Sequence, residues 1–517
     1  MSDIKNGDGN PFLNSEEMKE FVREYYLKLY KKDEHEPEDL TNCINDFLGN
    51  DICNNPITLS RKIPDVLKAE LDRPITIEEL DKSIAQANKS ACGMDGLSNC
   101  FIKKYWHFFR TPLHRYLAAV LAKENLTPTF RTGLIKLIPK KGDPTRLTNW
   151  RPISLLSCMY KVLSRALNNR LKLACNYIYS RSQKGFTSNR YIQEVLINLC
   201  ETIGYCNSNN IPACIVAIDQ SKAFDSISHK YMAEAYKFFG LGENFIKLLI
   251  TLGSGRTACI SYDDGSISPP FNLERGRTQG NGPSPCEYNI GQQILLLKIE
   301  LCPDIASVFN HLQVPRTVFG RLNMPHPAIF DAIRSENNPC FEPESKCETD
   351  KAEGFADDTS VATIFSFDSL NSLKIILERF ATFSGLKCNM EKTSNLEIGN
   401  ITPVPDQVRD LGFSLCDETK ILGMNISAEP ERWNTNFETI LTNIRKKIEF
   451  WKRFNLTLPG RICVIKSLLI SPLSHLGSFL MPTKPMLNTI QKTLDSFAKG
   501  KLNVAVSKIT VPVEAGV

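Results

Sequence analysis

Six consecutive residues, Ala213-Cys214-Ile215-Val216-Ala217-Ile218, carry no polar side chain and run directly into Asp219. Successive side chains of a strand point to opposite faces, so a run apolar at every position has to be covered on both sides and belongs in the middle of a sheet. Such a strand delivers one carboxylate at the sheet edge. A second acidic feature lies far downstream, Phe355-Ala356-Asp357-Asp358, followed by Thr359-Ser360-Val361-Ala362-Thr363-Ile364-Phe365, whose β-branched and aromatic composition is that of a strand. The Asp pair therefore reads as the tip of a β-hairpin. Adjacent carboxylates repel and push a pKa upward. A random Asp-Asp is usually a solvated turn, but three carboxylates brought to one sheet edge call for hard cations, and Mg²⁺ prefers one or two carboxylates plus substrate phosphates.

The remaining segments carry both helical and extended signals, so the chain mixes α and β, and at 517 residues it is long enough for several subdomains. Apolar positions from Glu16 to Tyr30 predict an amphipathic helix capped by Ser15, and residues 31–60 read as a polar connector with a short helix. Thr76 followed by Glu79 is a capping box opening a helix to about Asn88. A single helix is expected from Asn99 to Lys123, its stripe of Phe101, Tyr105, Trp106, Phe108, Phe109, Leu113, Leu117 and Val120 read as core. Leu134 to Pro139 and Trp150 to Leu155 read as a basic hairpin. Helices follow from Met159 to Ala174, Ile192 to Cys206 and Lys230 to Phe239. The glycine-rich loop Arg275 to Pro285 feeds a helix from Glu287 to Ile299. Pro303 to Ala352 has weak periodicity and is read as a surface insertion. A helix from Leu370 to Ser384, a turn at Gly385 to Asn389, a strand containing Leu422-Gly423 and a helix from Asn434 to Phe454 complete the chain, with a break at Pro459-Gly460 before a helix from Arg461.

Net charge is only +5, but 13 Lys and Arg against 5 Asp and Glu lie from Glu431 onward, so the excess positive charge is concentrated at that end. No apolar run approaches the ~20 residues of a membrane span, and the first residues lack the apolar core of a secretory signal. The 17 cysteines include no Cys-x-x-Cys pair. Their scatter fits reduced thiols in an intracellular protein, with nucleus and cytoplasm left open.

Several blocks occur in a fixed order: Ile138-Pro139-Lys140, Asn149-Trp150-Arg151-Pro152-Ile153-Ser154-Leu155, Gln183-Lys184-Gly185-Phe186, Asp219-x-x-Lys222-Ala223-Phe224-Asp225, Arg275-Gly276-x-x-Gln279-Gly280, Phe355-Ala356-Asp357-Asp358, Gly385-Leu386-Lys387-x-Asn389-x-x-Lys392-Thr393 and Leu422-Gly423. Together they resemble the reverse transcriptases of non-LTR (LINE-type) retrotransposons. The resemblance implies a right-hand polymerase with fingers, a palm built on an antiparallel sheet and a helical thumb. Its divisions are an N-terminal extension (1–75), fingers (76–205), palm (206–415, with the insertion 303–352) and thumb (416–517).

The resemblance also implies roles. Asp219, Asp357 and Asp358 would be catalytic and hold two Mg²⁺ ions, Mn²⁺ being an alternative. Lys140 and Arg151 would grip the triphosphate, Phe224 would exclude a 2′-hydroxyl, Gln279 and Gly280 would lie against the nucleotide and template, and Lys392 would protonate the leaving pyrophosphate. Arg445, Lys446, Lys447, Lys452 and Arg453 would track the phosphates of an RNA/DNA hybrid. The implied function is RNA-directed DNA synthesis from a primer 3′-hydroxyl by two-metal phosphoryl transfer, with an RNA template, a DNA primer and deoxynucleoside triphosphates as partners and no membrane. Where the family has Arg before the Gln and Asp-Pro-Leu after the Gly, this chain has Thr278 and Asn281-Gly282-Pro283. No endonuclease block or Cys/His knuckle is seen in these residues. A catalytically inactive or fragmentary retroelement-derived RNA-binding protein is therefore the alternative.

Overall fold

The computed structural model describes residues 4–6, 9–140, 142–309, 351–399 and 406–500. Its strands are β1 (Thr132–Pro139), β2 (Trp150–Leu155), β3 (Ala213–Ile218), β4 (Arg256–Ser261), β5 (Phe271–Leu273), β6 (Ala352–Phe355), β7 (Asp358–Ile364), β8 (Ser394–Ile398), β9 (Ser414–Cys416), β10 (Glu418–Ile421) and β11 (Met424–Ser427). The apolar run is β3, and it occupies the centre of a five-stranded sheet ordered β6-β7-β3-β8-β9. It pairs antiparallel with β7 on one side and with β8 on the other. Its two faces serve different cores. Cys214, Val216 and Ile218 join the helices Leu40–Leu48, Cys158–Ile178, His229–Phe238, Ser284–Leu301 and Phe367–Ser384. Ala213 and Ile215 join helices Ile192–Ser208, Thr435–Trp451 and Lys484–Lys499 on the opposite side. A strand between two cores has no polar face, which is why the run lacks alternation.

A second sheet, ordered β2-β1-β4-β5, contains the basic hairpin: β1 and β2 pair antiparallel with Ile138 opposite Arg151. β1 also pairs in parallel with β4, Thr132 facing Thr257. This sheet and helix Ser15–Tyr30 share a third core, in which Val22, Tyr26 and Tyr30 pack with Ile135, Leu137, Ile260 and Phe271. The only other described pairing of named strands is the hairpin β10-β11.

The capping box at Thr76 and Glu79 is present, opening the helix Ile77–Ala85. Several expectations are corrected. Helix Ser15–Tyr30 is capped by the Asn14 side chain, not by Ser15. Residues 31–60 hold three helices, Leu40–Leu48, Asn50–Cys53 and Pro56–Ser60, and Leu40, Ile44, Phe47 and Leu48 are core because every third or fourth position among the polar residues is apolar. The expected helix from Asn99 breaks at Tyr105 into Asn99–Lys104 and Trp106–Lys123. Its stripe is core only in part: Leu113, Leu117 and Val120 are buried with Ile102, and Trp106 and Phe109 pack against them half-buried, but Phe101 and Phe108 are 44% and 66% exposed. Leu422-Gly423 is the turn between β10 and β11, both residues at positive φ, rather than part of a strand. Pro459-Gly460 begins the helix Leu458–Val464, where a proline in the first turn loses no hydrogen bond. The expected antiparallel sheet is present, with one parallel edge strand, β9, added beside β8. Of the inferred insertion, residues 310–350 lie outside the described residues, as do 501–517 of the basic end.

Candidate active site

The last pair of the β3-β7 ladder is Ile218 opposite Thr359, so Asp219 and Asp358 are the next residues along neighbouring strands. Asp357 fills the two-residue turn with Ala356 between Phe355 and Asp358. The backbone of Asp219 is fixed from the far side: its N–H donates to Thr393 Oγ1 at 3.3 Å, and its carbonyl accepts from the Asn389 amide at 2.8 Å. All three carboxylates open to solvent on one side. The protein crowded behind Asp357 and Asp358 still makes their ionisation costly. That crowding, then the charges of Asp357 and Asp219, push Asp358 up to about 6. Asp357 is raised by the same burial and by Asp219, against the pull of Arg151 and Lys140.

Those cations come from the hairpin. Lys140 closes β1, its amide bonded to the Asn149 carbonyl at 2.7 Å. Burial lowers its ammonium pKa, the Arg151 and Lys392 charges lower it further, and Asp225 and Asp357 oppose them. Lys222 is held down to about 8 by burial and by Lys140 and Lys392, and its Nζ donates to the Thr148 carbonyl at 3.0 Å. The structure thus gathers Asp219, Asp357, Asp358, Lys140, Arg151 and Lys392 into one electrostatic neighbourhood, although they lie as far apart in sequence as 140 and 392.

Phe224 is half-buried and stacks on Tyr288, ring centroids 4.6 Å apart. The glycine-rich loop is zipped to the segment behind it: the Arg277 amide donates to the Phe224 carbonyl and the Gly276 amide to that of Ile227, at 2.6 and 2.8 Å. Gln279 reaches two ways. Its carbonyl accepts from the Ser154 amide of β2 at 2.8 Å, and its side-chain amide donates to both oxygens of Asp225 at 3.3 and 3.2 Å. Asp225 is buried, and burial raises its pKa to about 6 in spite of those donors.

Tyr30 completes the group, its hydroxyl donating to Asp225 Oδ1 at 2.8 Å. Neither Tyr30 nor Asp225 had been singled out from the sequence for a role. Asp225 stands in the polar segment Gln220 to Ser228, which does not mark it as buried, and nothing local marks Tyr30, 195 residues away.

The five basic residues of the C-terminal part are all exposed, on or just beyond helix Thr435–Trp451, whose buried face is Phe437, Leu441, Ile444 and Ile448. Lys452 pairs with Glu449 at 2.7 Å, and Lys447 donates to the Leu468 carbonyl at 3.0 Å. Among the described residues no ion pair engages Arg445, Lys446 or Arg453.

The donor chemistry at the sheet edge is hard oxygen and anionic, which suits Mg²⁺. Among the described residues no three His, Cys, Asp or Glu side chains are already arranged to hold a metal ion.

Residues 138–426 match the family described as reverse transcriptase (RNA-dependent DNA polymerase). The chain belongs to the reverse transcriptases. The matched stretch contains every candidate residue above except Tyr30 and the basic set at 445–453. The expected α+β polymerase fold is met, and members of the family depend on divalent metal and act on an RNA template, a primer and deoxynucleoside triphosphates. The chain is 27% identical over 98% of its length to the transposon TX1 uncharacterized 149 kDa protein of Xenopus laevis, covering 36% of that protein. It is 26% identical over 70% of its length to a retrovirus-related Pol polyprotein from the type-1 retrotransposable element R2 of Popillia japonica, covering 47%. It therefore spans between a third and a half of these relatives. Among solved structures, apo telomerase from Candida tropicalis truncated from its C-terminal domain matches with a TM-score of 0.37 and 14% identity, over 61% of this chain and 57% of that one. No described helix is long and apolar enough to cross a membrane.

Proposed function

We propose that the chain is the polymerase part of a non-LTR retrotransposon protein and synthesises DNA on an RNA template by extending a primer 3′-hydroxyl. The observation that carries this is the meeting of Asp219, Asp357 and Asp358 at one sheet edge with Lys140 and Arg151 in electrostatic reach of Asp357, and Lys392 in reach of Lys140. The names of the relatives from elements TX1 and R2 support the element class. In this reading residues 1–75 are an extension, 76–205 the fingers, 206–415 the palm and 416–517 the thumb.

Asp219, Asp357 and Asp358 would hold two divalent cations, which supply charge that lowers the pKa of the primer hydroxyl and neutralises the leaving pyrophosphate. The protein positions the reactants. Arg151 offers a planar fork to the triphosphate and Lys140 a point charge beside it. Phe224, backed by the ring of Tyr288, presents bulk where a 2′-hydroxyl would stand. Gln279, oriented by Asp225, and Gly280 form the wall against the base pair, and Lys392 is placed to return a proton to pyrophosphate. Arg445, Lys446 and Arg453, unengaged by ion pairs, give a face for the phosphates of an RNA/DNA hybrid. Lys447 and Lys452 extend it.

Primer extension on an RNA template, comparing the purified chain with Asp357→Ala, tests this: the variant should incorporate no deoxynucleotide above background, and equal incorporation by both would sink the assignment. A second reading is favoured by one observation. Asn281 stands where the family has Asp, and its Oδ1 is buried with no hydrogen-bond partner. A chain silenced there would bind RNA in a salt-dependent way and incorporate nothing.

A further inference from the structure

The block Gln183-Lys184-Gly185 has no assigned part in the chemistry, yet it lies against the tip that carries Asp357 and Asp358. Residues 182–185 run along the outer edge of β6 as a short added strand: the Gly354 amide donates to the Ser182 carbonyl and the Lys184 amide to the Gly354 carbonyl, both at 2.8 Å. The side chain of Gln183 is wholly buried and folds toward the turn. Its Oε1 accepts from the Ala356 amide and from the Gly185 amide, each at 2.9 Å. Two backbone donors on one oxygen fix which end of the carboxamide faces the turn. The other end, Nε2, is buried without a hydrogen-bond partner, so the side chain keeps its place for the sake of its oxygen.

Ala356 needs such a restraint. Its φ is +60°, a conformation that a residue with a Cβ holds only when its surroundings impose it. Gly185 presses from the same side: a Cβ there would stand 2.4 Å from the Ala356 nitrogen and 2.9 Å from the Phe355 carbonyl carbon. Gly185 is itself anchored from behind, its carbonyl accepting from Asn289 Nδ2 at 2.7 Å. Lys184 sits between Glu194 and Glu353, at 3.9 and 3.8 Å, and ties the strip to β6 without touching the tip.

We propose that Gln183 and Gly185 are positioning residues for the catalytic turn: the Gln183 oxygen holds the Ala356 amide in its left-handed conformation and so sets where Asp357 and Asp358 point. The proposal rests on reading those carboxylates as catalytic. The residues touch neither substrate nor metal and act through the turn.

The test uses the full chain with Gln183→Leu, which keeps the side chain's bulk and removes the acceptor, Gln183→Glu, which keeps an acceptor oxygen, and Gly185→Ala. Two readouts are taken: amide hydrogen exchange at the 355–358 turn without substrate, and primer extension resolved into kcat, KM for the deoxynucleotide and the Mg²⁺ concentration for half-maximal rate. Gln183→Leu should speed exchange at the turn, lower kcat by about 10–100-fold, as expected for a displacement approaching 1 Å, and raise the Mg²⁺ requirement while KM stays nearly constant. Gly185→Ala should do the same, and Gln183→Glu should recover most of the loss. Unchanged exchange and unchanged Mg²⁺ requirement in Gln183→Leu would overturn the proposal, whatever happened to its folding yield. If no form extends a primer, yet Gln183→Leu alone loosens the turn, the positioning stands and the polymerase reading falls.

Discussion

Two glycines of the loop, Gly280 and Gly282, look interchangeable in sequence and are not so in space. Gly280 has φ +107°, and a Cβ placed on it would lie 2.6 Å from the Ser154 carbonyl oxygen. That is about 0.8 Å short of the 3.4 Å at which ordinary contact begins, and the obstacle is backbone of β2, which cannot swing aside. The loop must move instead, carrying Gln279, whose own carbonyl is bonded to the Ser154 amide. A misplacement near 1 Å costs on the order of 10²-fold in rate, or about 2.7 kcal/mol of transition-state stabilisation. At Gly282 a Cβ meets only the Asn168 side chain, at 3.8 Å. Gly280→Ala is therefore expected to lower kcat/KM for the deoxynucleotide about 100-fold, and Gly282→Ala to change it by less than about threefold, the range of an uncrowded surface substitution. Steady-state primer extension with both variants decides it. Equal effects at the two positions, or wild-type kinetics in Gly280→Ala, would refute the packing argument.

Tyr30→Phe removes a donor from buried Asp225. That carboxyl's folded pKa, about 6, lies above its ordinary 3.8, so the folded chain holds the proton longer and stability falls as pH rises from about 3.8 to about 6, then levels. The hydroxyl opposes this shift, so its loss should cost about 1.5–3 kcal/mol at pH 8 against about 0.5–1.5 at pH 5; melting midpoints lowered equally at both pH values would contradict it. Phe224→Ala should raise ribonucleotide use relative to deoxynucleotide use at least about tenfold, and an unchanged ratio would remove the steric role. Neutralising Arg445 and Lys446 together should reduce the slope of log K against log salt for a hybrid by somewhat under 2. The same slope in variant and parent would mean that this face does not meet phosphate.

The central strand and the acidic hairpin were legible because their signals are local: six apolar residues can only be an interior strand, and β-branched residues after an Asp pair can only leave the turn one way. The capping box was legible for the same reason. What escaped depends on distant partners. Whether Phe101 and Phe108 are core or surface is decided by which side of a broken helix meets its neighbours Ile77–Ala85 and Glu243–Gly253, and an aromatic stripe reads identically either way. The parallel pairing of β1 with β4 joins residues 125 apart in sequence, Thr132 and Thr257, and leaves no pattern in either strand. Leu422-Gly423 has the apolar character of a strand because Leu422 packs inward from a turn. The electrostatic gathering of Lys140, Arg151 and Lys392 was implied by resemblance alone; the spacing of single basic residues says nothing about convergence.

The sheet β2-β1-β4-β5 is tied across its back. β5, one edge, ends at Leu273, and six residues later the Gln279 carbonyl is bonded to Ser154 on β2, the opposite edge. Six residues reach at most about 20 Å, while three strand spacings amount to about 14 Å. Removing three residues would leave about 11 Å of reach at most, too little to close the belt. Descendants of this chain are thus held close to the number of residues between Leu273 and Gln279, and also to Gly276, where a Cβ would stand 2.7 Å from the Asp225 carbonyl oxygen, and to Arg277, buried beside Glu287. Residues 142–146 at the far end of the β1-β2 hairpin make only short-range ties, the Lys5 amide donating to the Thr145 carbonyl and Trp150 Nε1 to the Pro144 carbonyl, and span no sheet. Insertions and deletions in related copies should collect at that tip and stop short of the belt.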